Sequence, residues 1–153
     1  MNILFVCMGN ICRSPLLEGW AAHRRADSAV PYQVDSAGTG GWHAGLPPDP
    51  RAIEVARQAG IDISGQRARQ VQFADFQRFD LVLCADRANL AELRMLAPGA
   101  ARGRIALVLD WCGVKRNGEL PDPYHGGPRD FERVCSLARE AADGLLRRLA
   151  TQA

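Results

Sequence analysis

The chain opens Met1-Asn2-Ile3-Leu4-Phe5-Val6-Cys7-Met8-Gly9-Asn10-Ile11-Cys12-Arg13-Ser14-Pro15, and the fold turns on how these residues are read. Ile3 to Val6 form an apolar run too short for a membrane span and too uniform for an edge strand. Such a run reads as a strand buried on both faces of a parallel sheet. Pro15 suits the first position of a helix, where no backbone N–H is needed, and it pushes Ser14 out of the helical region, so that Ser14 serves as N-cap. A strand therefore ends near Val6 and a helix begins near Pro15. Between them lie a thiol, a glycine, an asparagine and an arginine, which together suit an anion. Backbone N–H groups of a tight loop converge on one oxyanion, and the positive end of the helix faces the same point. Gly9 lets the backbone turn or approach closely. Arg13 presents a planar fork that matches two phosphate oxygens. Cys7, at the carboxyl end of the strand, is expected to face the same donors, which favour the thiolate at neutral pH. A thiolate beneath a bound phosphate is placed for in-line attack.

Outward from this loop, strands alternate with helices. Leu16, Leu17, Trp20 and Ala21 give a short apolar helical face that ends in the cations Arg24-Arg25. Tyr32 to Ala37 reads as a second strand, stopped by Gly38-Thr39-Gly40-Gly41, and Trp42 to Pro48 reads as a loop. Asp49-Pro50 looks like an N-cap and first position for a helix carrying Ala52, Ile53, Ala56 and Ala59 and ending at Gly60. Ile61 to Gln70 is polar and irregular. Phe79 to Cys84 is a third strand, and Asp86 caps a helix that Pro98-Gly99 breaks. Ile105 to Leu109 is a fourth strand. Trp111 to Pro128 is a long loop of the kind that often carries function. Arg129 to Ala150 is the last helix, with Phe131, Val134, Ala138, Ala141, Leu145 and Leu149 along one stripe.

Four strands alternating with helices imply an α/β fold. We expect a single three-layer domain over residues 1–153, with a four-stranded parallel sheet, helices on both faces and a phosphate-binding loop after the first strand. Ligands of such sheets bind beyond the carboxyl ends of the strands, near the switch in strand order. Cys7, Ser36, Cys84 and Trp111 fall there.

The bulk properties narrow the function classes. A length of 153 residues suits one domain with a real core. A net charge of +2 is too small to argue for nucleic acid or a membrane surface. No apolar run approaches the ~20 residues of a membrane span. The first residues lack the basic segment and cleavage site of a signal peptide. Five cysteines without a C-x-x-C pair fit reduced thiols in the cytoplasm.

Cys7, five intervening residues and then Arg13-Ser14 match the Cys-x5-Arg-Ser/Thr signature of protein tyrosine phosphatases. The motif stands at the start of the chain. With Asp35-Ser36-Ala37-Gly38-Thr39, Asp75-Phe76-Gln77-Arg78-Phe79-Asp80 and Asp122-Pro123-Tyr124, it resembles the low-molecular-weight protein tyrosine phosphatases over nearly the whole chain. The resemblance implies metal-independent hydrolysis of phosphotyrosine, with no cofactor. Cys7 would form a cysteinyl-phosphate that water then hydrolyses, and Arg13 would hold the equatorial oxygens. Met8, Gly9, Asn10, Ile11, Cys12 and Ser14 complete the substrate cradle. Ser14 is also expected to donate to the Cys7 sulfur and ease its departure. The resemblance suggests that Asn10 braces the loop by bonding Ser36, and that Cys12 forms a reversible disulfide with Cys7 under peroxide.

Two Asp-Pro pairs compete as general acid. Asp49-Pro50 opens a helical pattern, so capping accounts for it. Asp122-Pro123 precedes the non-helical Tyr124-His125-Gly126-Gly127, which leaves Asp122 without a structural duty, and Asp122 is also the one that matches the family motif. It would protonate the leaving phenol and later take a proton from water. Trp42 and Tyr124, on the two long loops, would hold the aromatic ring between them. Two positions depart from the family: His125 stands where a second tyrosine is frequent, and Gln66 stands where many relatives place a histidine in the Asn10–Ser36 network. His23 and His43 read as surface residues, and Cys84, Cys112 and Cys135 as packing residues.

Three rivals share parts of this pattern. A protein-arginine phosphatase would use the same scaffold, but those relatives tend to carry threonine at Ile11. An arsenate reductase needs further cysteines on one mobile segment, which Cys84 and Cys112 do not supply. A non-catalytic phosphate-binding module has no need of both Cys7 and Asp122. The implied partner is a phosphotyrosine-containing protein, a bacterial tyrosine kinase among the candidates. The expected state is a monomer or weak dimer, with neither nucleic acid nor membrane as partner.

Overall fold

The computed structural model describes residues 1–152. Its strands are β1 (Asn2–Cys7), β2 (Gln33–Gly38), β3 (Leu81–Cys84) and β4 (Ile105–Leu107), joined in one parallel sheet of order β2-β1-β3-β4. Its α-helices are α1 (Arg13–Arg24), α2 (Pro50–Gln58), α3 (Asp75–Arg78), α4 (Arg87–Leu96), α5 (Val108–Trp111) and α6 (Pro128–Gln152). The expected single α/β domain with an all-parallel four-stranded sheet is therefore what forms.

The alternation of side chains along β1 and β3 divides the interior in two. Ile3, Phe5, Leu81 and Leu83 face a core built with α1, α2 and α6, through Leu16, Leu17, Trp20, Phe131 and Leu145. Leu4, Val6, Val82 and Cys84 face the other core, filled by Phe76, Phe79 and Leu93 from and around α3 and α4. A strand covered on both sides has no polar face, which is why residues 3–6 are uniformly apolar. From β1 the chain goes first to β2 on one side and then crosses to β3 on the other. The loops after β1 and β3 thus diverge and leave a crevice at their carboxyl ends.

Several element boundaries differ from the expectation for local reasons. The fourth strand stops at Leu107 because its partner ends at Cys84: beyond that point Ala85 bonds to Val6 instead. Val108 and Leu109 have no strand to pair with, and they reach the core through the single turn of α5. The first helix begins at Arg13, not Pro15, with Cys12 as N-cap. Ser14 is accordingly not the cap but lies within the first turn. Pro15 still costs no hydrogen bond, because the first N–H groups of any helix lack an intrahelical partner. The third strand begins two residues later than expected, since α3 runs up to Arg78 and Phe79 closes it. Asp49 and Asp86 do cap their helices, accepting from the N–H groups of Arg51 and Asn89.

The helix α6 approaches the turn after α5 so closely that a Cβ on Gly144 would lie 1.9 Å from the carbonyl oxygen of Cys112. No rotamer relieves a clash with backbone. Gly144→Ala is expected to lower stability by about 1–3 kcal/mol, despite the better helix propensity of alanine. The check is a downward shift of the urea midpoint at unchanged m-value.

Candidate active site

Residues 8 to 12 carry the chain from β1 into α1, and their backbone is turned with its carbonyls outward. The carbonyls of Cys7 and Met8 accept from Thr39 and Gly40 at 2.9 Å each, and that of Ile11 accepts from Asp49 at 2.8 Å. The N–H groups of Gly9, Asn10, Ile11 and Cys12 have no hydrogen-bond partner among the described residues. Consecutive free donors at a helix N-terminus are the main requirement of an oxyanion cradle.

Asn10 holds this loop in shape. It adopts φ of 57°, a left-handed conformation that asparagine tolerates better than most residues. Its Nδ2 donates to Ser14 Oγ at 2.7 Å and to Ser36 Oγ at 2.9 Å, and its Oδ1 accepts from the Arg69 N–H at 3.0 Å. Cys7 is only 3% exposed, and its thiol lies 3.1 Å from Ser14 Oγ. Because Ser14 Oγ accepts from Asn10, its own hydrogen is available to the sulfur.

Arg13 is 2% exposed. Its Nη1 donates to Asp86 Oδ2 at 2.8 Å and to the Leu120 carbonyl at 3.0 Å. Its Nη2 lies 3.9 Å from Asp122 Oδ2. Neither Nε nor Nη2 makes a hydrogen bond to a described residue, so one edge of the fork remains for a ligand. Burial works against the charge on Arg13, but Cys7, Asp86 and Asp122 outweigh it and raise its pKa. Cys12 has no such support. Burial, with Asp49, Cys7 and Asp122 adding to it, pushes the Cys12 thiol far above its ordinary range, so it stays protonated.

These groups open on a cleft of about 400 Å³. Its lining combines the residues of the loop after β1, among them the buried Cys7 and Arg13, with Trp42 and His43 from the loop after β2 and Asp122, Tyr124 and His125 from the loop before α6. Trp42 is 72% exposed, and its ring is folded over Gly40, where a Cβ would come within 1.8 Å of it. The Tyr124 ring meets His125 edge-on at 5.0 Å, and the Arg51 guanidinium lies 5.6 Å from its centre. Asp122 is held by the Tyr124 N–H, which donates to Oδ1 at 3.1 Å. Among the described residues, no group of three or more His, Cys, Asp or Glu side chains could hold a metal ion, and no helix is long and apolar enough to cross a membrane.

A family model described as low molecular weight phosphotyrosine protein phosphatase matches residues 2–153. The chain belongs to this family. The low molecular weight protein-tyrosine-phosphatase YfkJ of Bacillus subtilis is 38% identical over 148 residues, covering 95% of this chain and 94% of that protein. The YfkJ crystal structure aligns with a TM-score of 0.90 over 99% of this chain and 96% of its own, at 36% identity. A Streptomyces coelicolor low molecular weight protein-tyrosine-phosphatase is 41% identical over 150 residues, 95% of this chain and 91% of that one. Vibrio vulnificus Wzb in complex with benzylphosphonate aligns with a TM-score of 0.85 at 32% identity, over 96% of this chain and 97% of its own.

Within this phosphatase fold, the residues named from the sequence occupy two layers. Cys7, Met8, Gly9, Ile11, Cys12, Arg13, Trp42, Asp122 and Tyr124 line the cleft. Asn10, Ser14 and Ser36 lie behind it and bond to one another or to Cys7. Gln66 takes no part in that network: its Nε2 donates to the Pro15 carbonyl at 3.0 Å, and its Oε1 is buried without a partner. His43, read as a surface residue, is partly exposed and lines the cleft, where its ring sits over Gly9. Two residues bonded to the site escaped the sequence reading. Asp86 was accounted for by helix capping, and nothing local signals that its second oxygen binds Arg13. Glu18, whose Oε1 accepts from Ser36 at 2.7 Å, carried one usable signal, a carboxylate placed beside the apolar face of α1.

Asp86→Ala should leave Arg13 buried with one acceptor fewer. A loss of ~1–3 kcal/mol corresponds to about 5- to 150-fold in phosphate affinity, measured by titration calorimetry with inorganic phosphate.

Proposed function

We propose that this protein is a protein-tyrosine phosphatase that hydrolyses aryl phosphate monoesters through a cysteinyl-phosphate intermediate. The observation that supports this most is the meeting of three groups from distant parts of the chain in one cleft. These are the Cys7 thiol, the Arg13 guanidinium and the Asp122 carboxyl, 3.9 Å from Arg13 Nη2. Family membership and the names of the relatives point the same way. Benzylphosphonate, the ligand of the Vibrio vulnificus protein, joins an aromatic ring to a tetrahedral phosphorus, and both features suit this cleft.

In the first step the phosphate oxygens rest on the free loop N–H groups and the open edge of Arg13. The Cys7 sulfur attacks phosphorus opposite the phenolic oxygen, and the P–S bond forms as the P–O bond breaks. Protonated Asp122 gives its proton to the departing oxygen. Negative charge on the equatorial oxygens is met by Arg13 and the amides, which need not reorganise. In the second step water attacks phosphorus, Asp122 takes its proton, and the P–S bond breaks to release phosphate. The Ser14 hydroxyl hydrogen stabilises the sulfur as it regains its charge. Trp42 and Tyr124 flank the ring of the substrate. Met8, Gly9, Ile11 and Cys12 supply the cradle, and Asn10 and Ser36 brace it.

Cys12 also serves as the resolving thiol. When peroxide oxidises the Cys7 thiolate to a sulfenic acid, the protonated Cys12 condenses with it, releases water and leaves a disulfide. Residues 1–153 act as one catalytic unit, as a monomer or weak dimer, in the cytoplasm, where thiols stay reduced. The client is a phosphotyrosine-containing protein, a bacterial tyrosine kinase among the candidates.

Turnover is followed as phenol release from an aryl phosphate with chelator present. Cys7→Ser should show none while still binding phosphate, because serine is not ionised at neutral pH; substantial residual turnover would rule out the covalent route. Asp122→Ala should slow phosphotyrosine hydrolysis by ~10²–10⁴-fold and esters of activated phenols far less. Equal losses on both would remove Asp122 as the acid. Phosphotyrosine should be cleaved faster than phosphoarginine, since the branched apolar side chain of Ile11 lines the cleft; the opposite order would reassign the substrate.

A further inference from the structure

A second concave surface begins beside the cleft. Arg51, exposed at the start of α2, lies close to two aromatic rings: its guanidinium carbon is 5.6 Å from the centre of Tyr124, which lines the cleft, and 4.6 Å from the centre of Phe131 on α6. Asp49 fixes it there, accepting from Nε at 3.0 Å and from Nη2 at 2.9 Å, and Nη1 makes no hydrogen bond to a described residue. Beyond Arg51, a hollow of about 410 Å³ between α2 and α6 is lined by the apolar Pro50, Val55, Pro128 and Phe131. A further hollow of about 230 Å³ reaches Trp20 and Arg139. The two share Val55, Gln58 and Glu132, so they form one groove along the seam of the two helices.

Two carboxylates border this groove, and they differ. Glu54 is engaged by Arg57 at 2.6 Å and by Gln58 at 3.2 Å. Glu132 borders both hollows and has neither an ion pair nor a side-chain hydrogen bond among the described residues. An apolar hollow with an unpaired carboxylate beside it complements an apolar side chain followed by a cation.

We infer that the groove receives the substrate polypeptide next to its phosphotyrosine, with an apolar side chain in the hollow at Phe131 and a basic side chain at Glu132. The inference rests on the reading of the protein as a phosphatase of phosphotyrosine-containing proteins, and it names the sequence such a substrate carries. A phosphotyrosine seated in the cleft belongs to a chain that must run out past the mouth. At ~3.3 Å per residue, two to four residues of extended chain reach from Tyr124 across Arg51 to Phe131. Arg51 Nη1 is free to donate to a carbonyl of that stretch. Side chains two apart on an extended segment share a face, so the residue two beyond the apolar one falls along the seam, where Glu132 stands. These contacts are remote from the reacting atoms and add to the binding of substrate and transition state alike.

The test uses phosphotyrosine peptides with leucine two, three or four residues from the phosphotyrosine, on either side, and arginine two beyond the leucine, in a background of alanine and serine. Each is measured as kcat/KM with the wild-type protein and as affinity for Cys7→Ser by fluorescence polarisation, which needs no turnover. One placement should exceed the leucine-free peptide by about tenfold in both, as expected for partial burial of such a side chain. Gln58→Trp fills the seam and should remove that gain. Glu132→Arg should weaken the arginine peptide about two- to fivefold and favour the peptide with glutamate in its place. Both positions are exposed, so neither substitution disturbs the core. Phenyl phosphate is too small to reach the groove, and both variants should cleave it at the wild-type rate. Phenyl phosphate turnover without any dependence on leucine would overturn the inference. Leucine-dependent binding to Cys7→Ser without turnover by the wild-type protein would overturn the proposed function and uphold the groove. A dimer that sediments with the wild-type protein and is lost in Gln58→Trp, with peptide rates unchanged, would give the groove to a second copy of the chain and overturn the inference equally.

Discussion

The guanidinium of Arg13 is the point where the molecule is tied together. A cation this deeply buried is stable only with acceptors close by, since its desolvation costs several kcal/mol before any pairing is counted. Nη1 finds those acceptors in Asp86, at the end of β3, and in the Leu120 carbonyl, on the long loop before α6. One side chain therefore joins the loop after β1 to two others that diverge from it across the sheet. Asp86 does two jobs at once, one oxygen capping α4 and the other fixing the fork. The fork is consequently oriented before any ligand arrives, with its unused edge in the cleft. Orientation in advance is what makes charge stabilisation effective in a dry site.

The loop itself is ordered by the same economy of hydrogen bonds. Its carbonyls are spent on Thr39, Gly40 and Asp49, its asparagine on Ser14 and Ser36, and only the amides that could meet an anion are left over. Those partners come from the strand and loop beside β1, so the cradle is an extension of the sheet's edge-to-edge bonding. The two apolar cores hold β1 from both faces and keep that register.

Much of this could be read from residues 1–15 alone, because the constraints there are local. An apolar run, a cation beside the positive end of a helix and a thiol next to it admit few explanations. The Asp122 assignment also followed from local logic, since one Asp-Pro pair had a helix to cap and the other had none. What could not be read were contacts between positions far apart in sequence. Nothing near Asp86 announces Arg13, and nothing near His43 says that its ring will cover Gly9. Strand ends were misread for a related reason. Val108 and Leu109 look like strand residues, and only the early departure of β3 from the sheet turns them into a helical turn. Ser14 was read as a cap because proline follows it, whereas its hydroxyl is claimed by Asn10 and Cys7.

The contacts of Arg13 span 73 residues to Asp86 and 107 to Leu120. On a ribosome, the thiol and the guanidinium emerge early, whereas the groups that orient and oppose them are made much later. A nascent chain that has not yet released Leu120 and Asp122 holds the Cys7 thiol before the groups that orient Arg13 and share its cleft have been made. The cleft is thus complete only once the loop before α6 has been made.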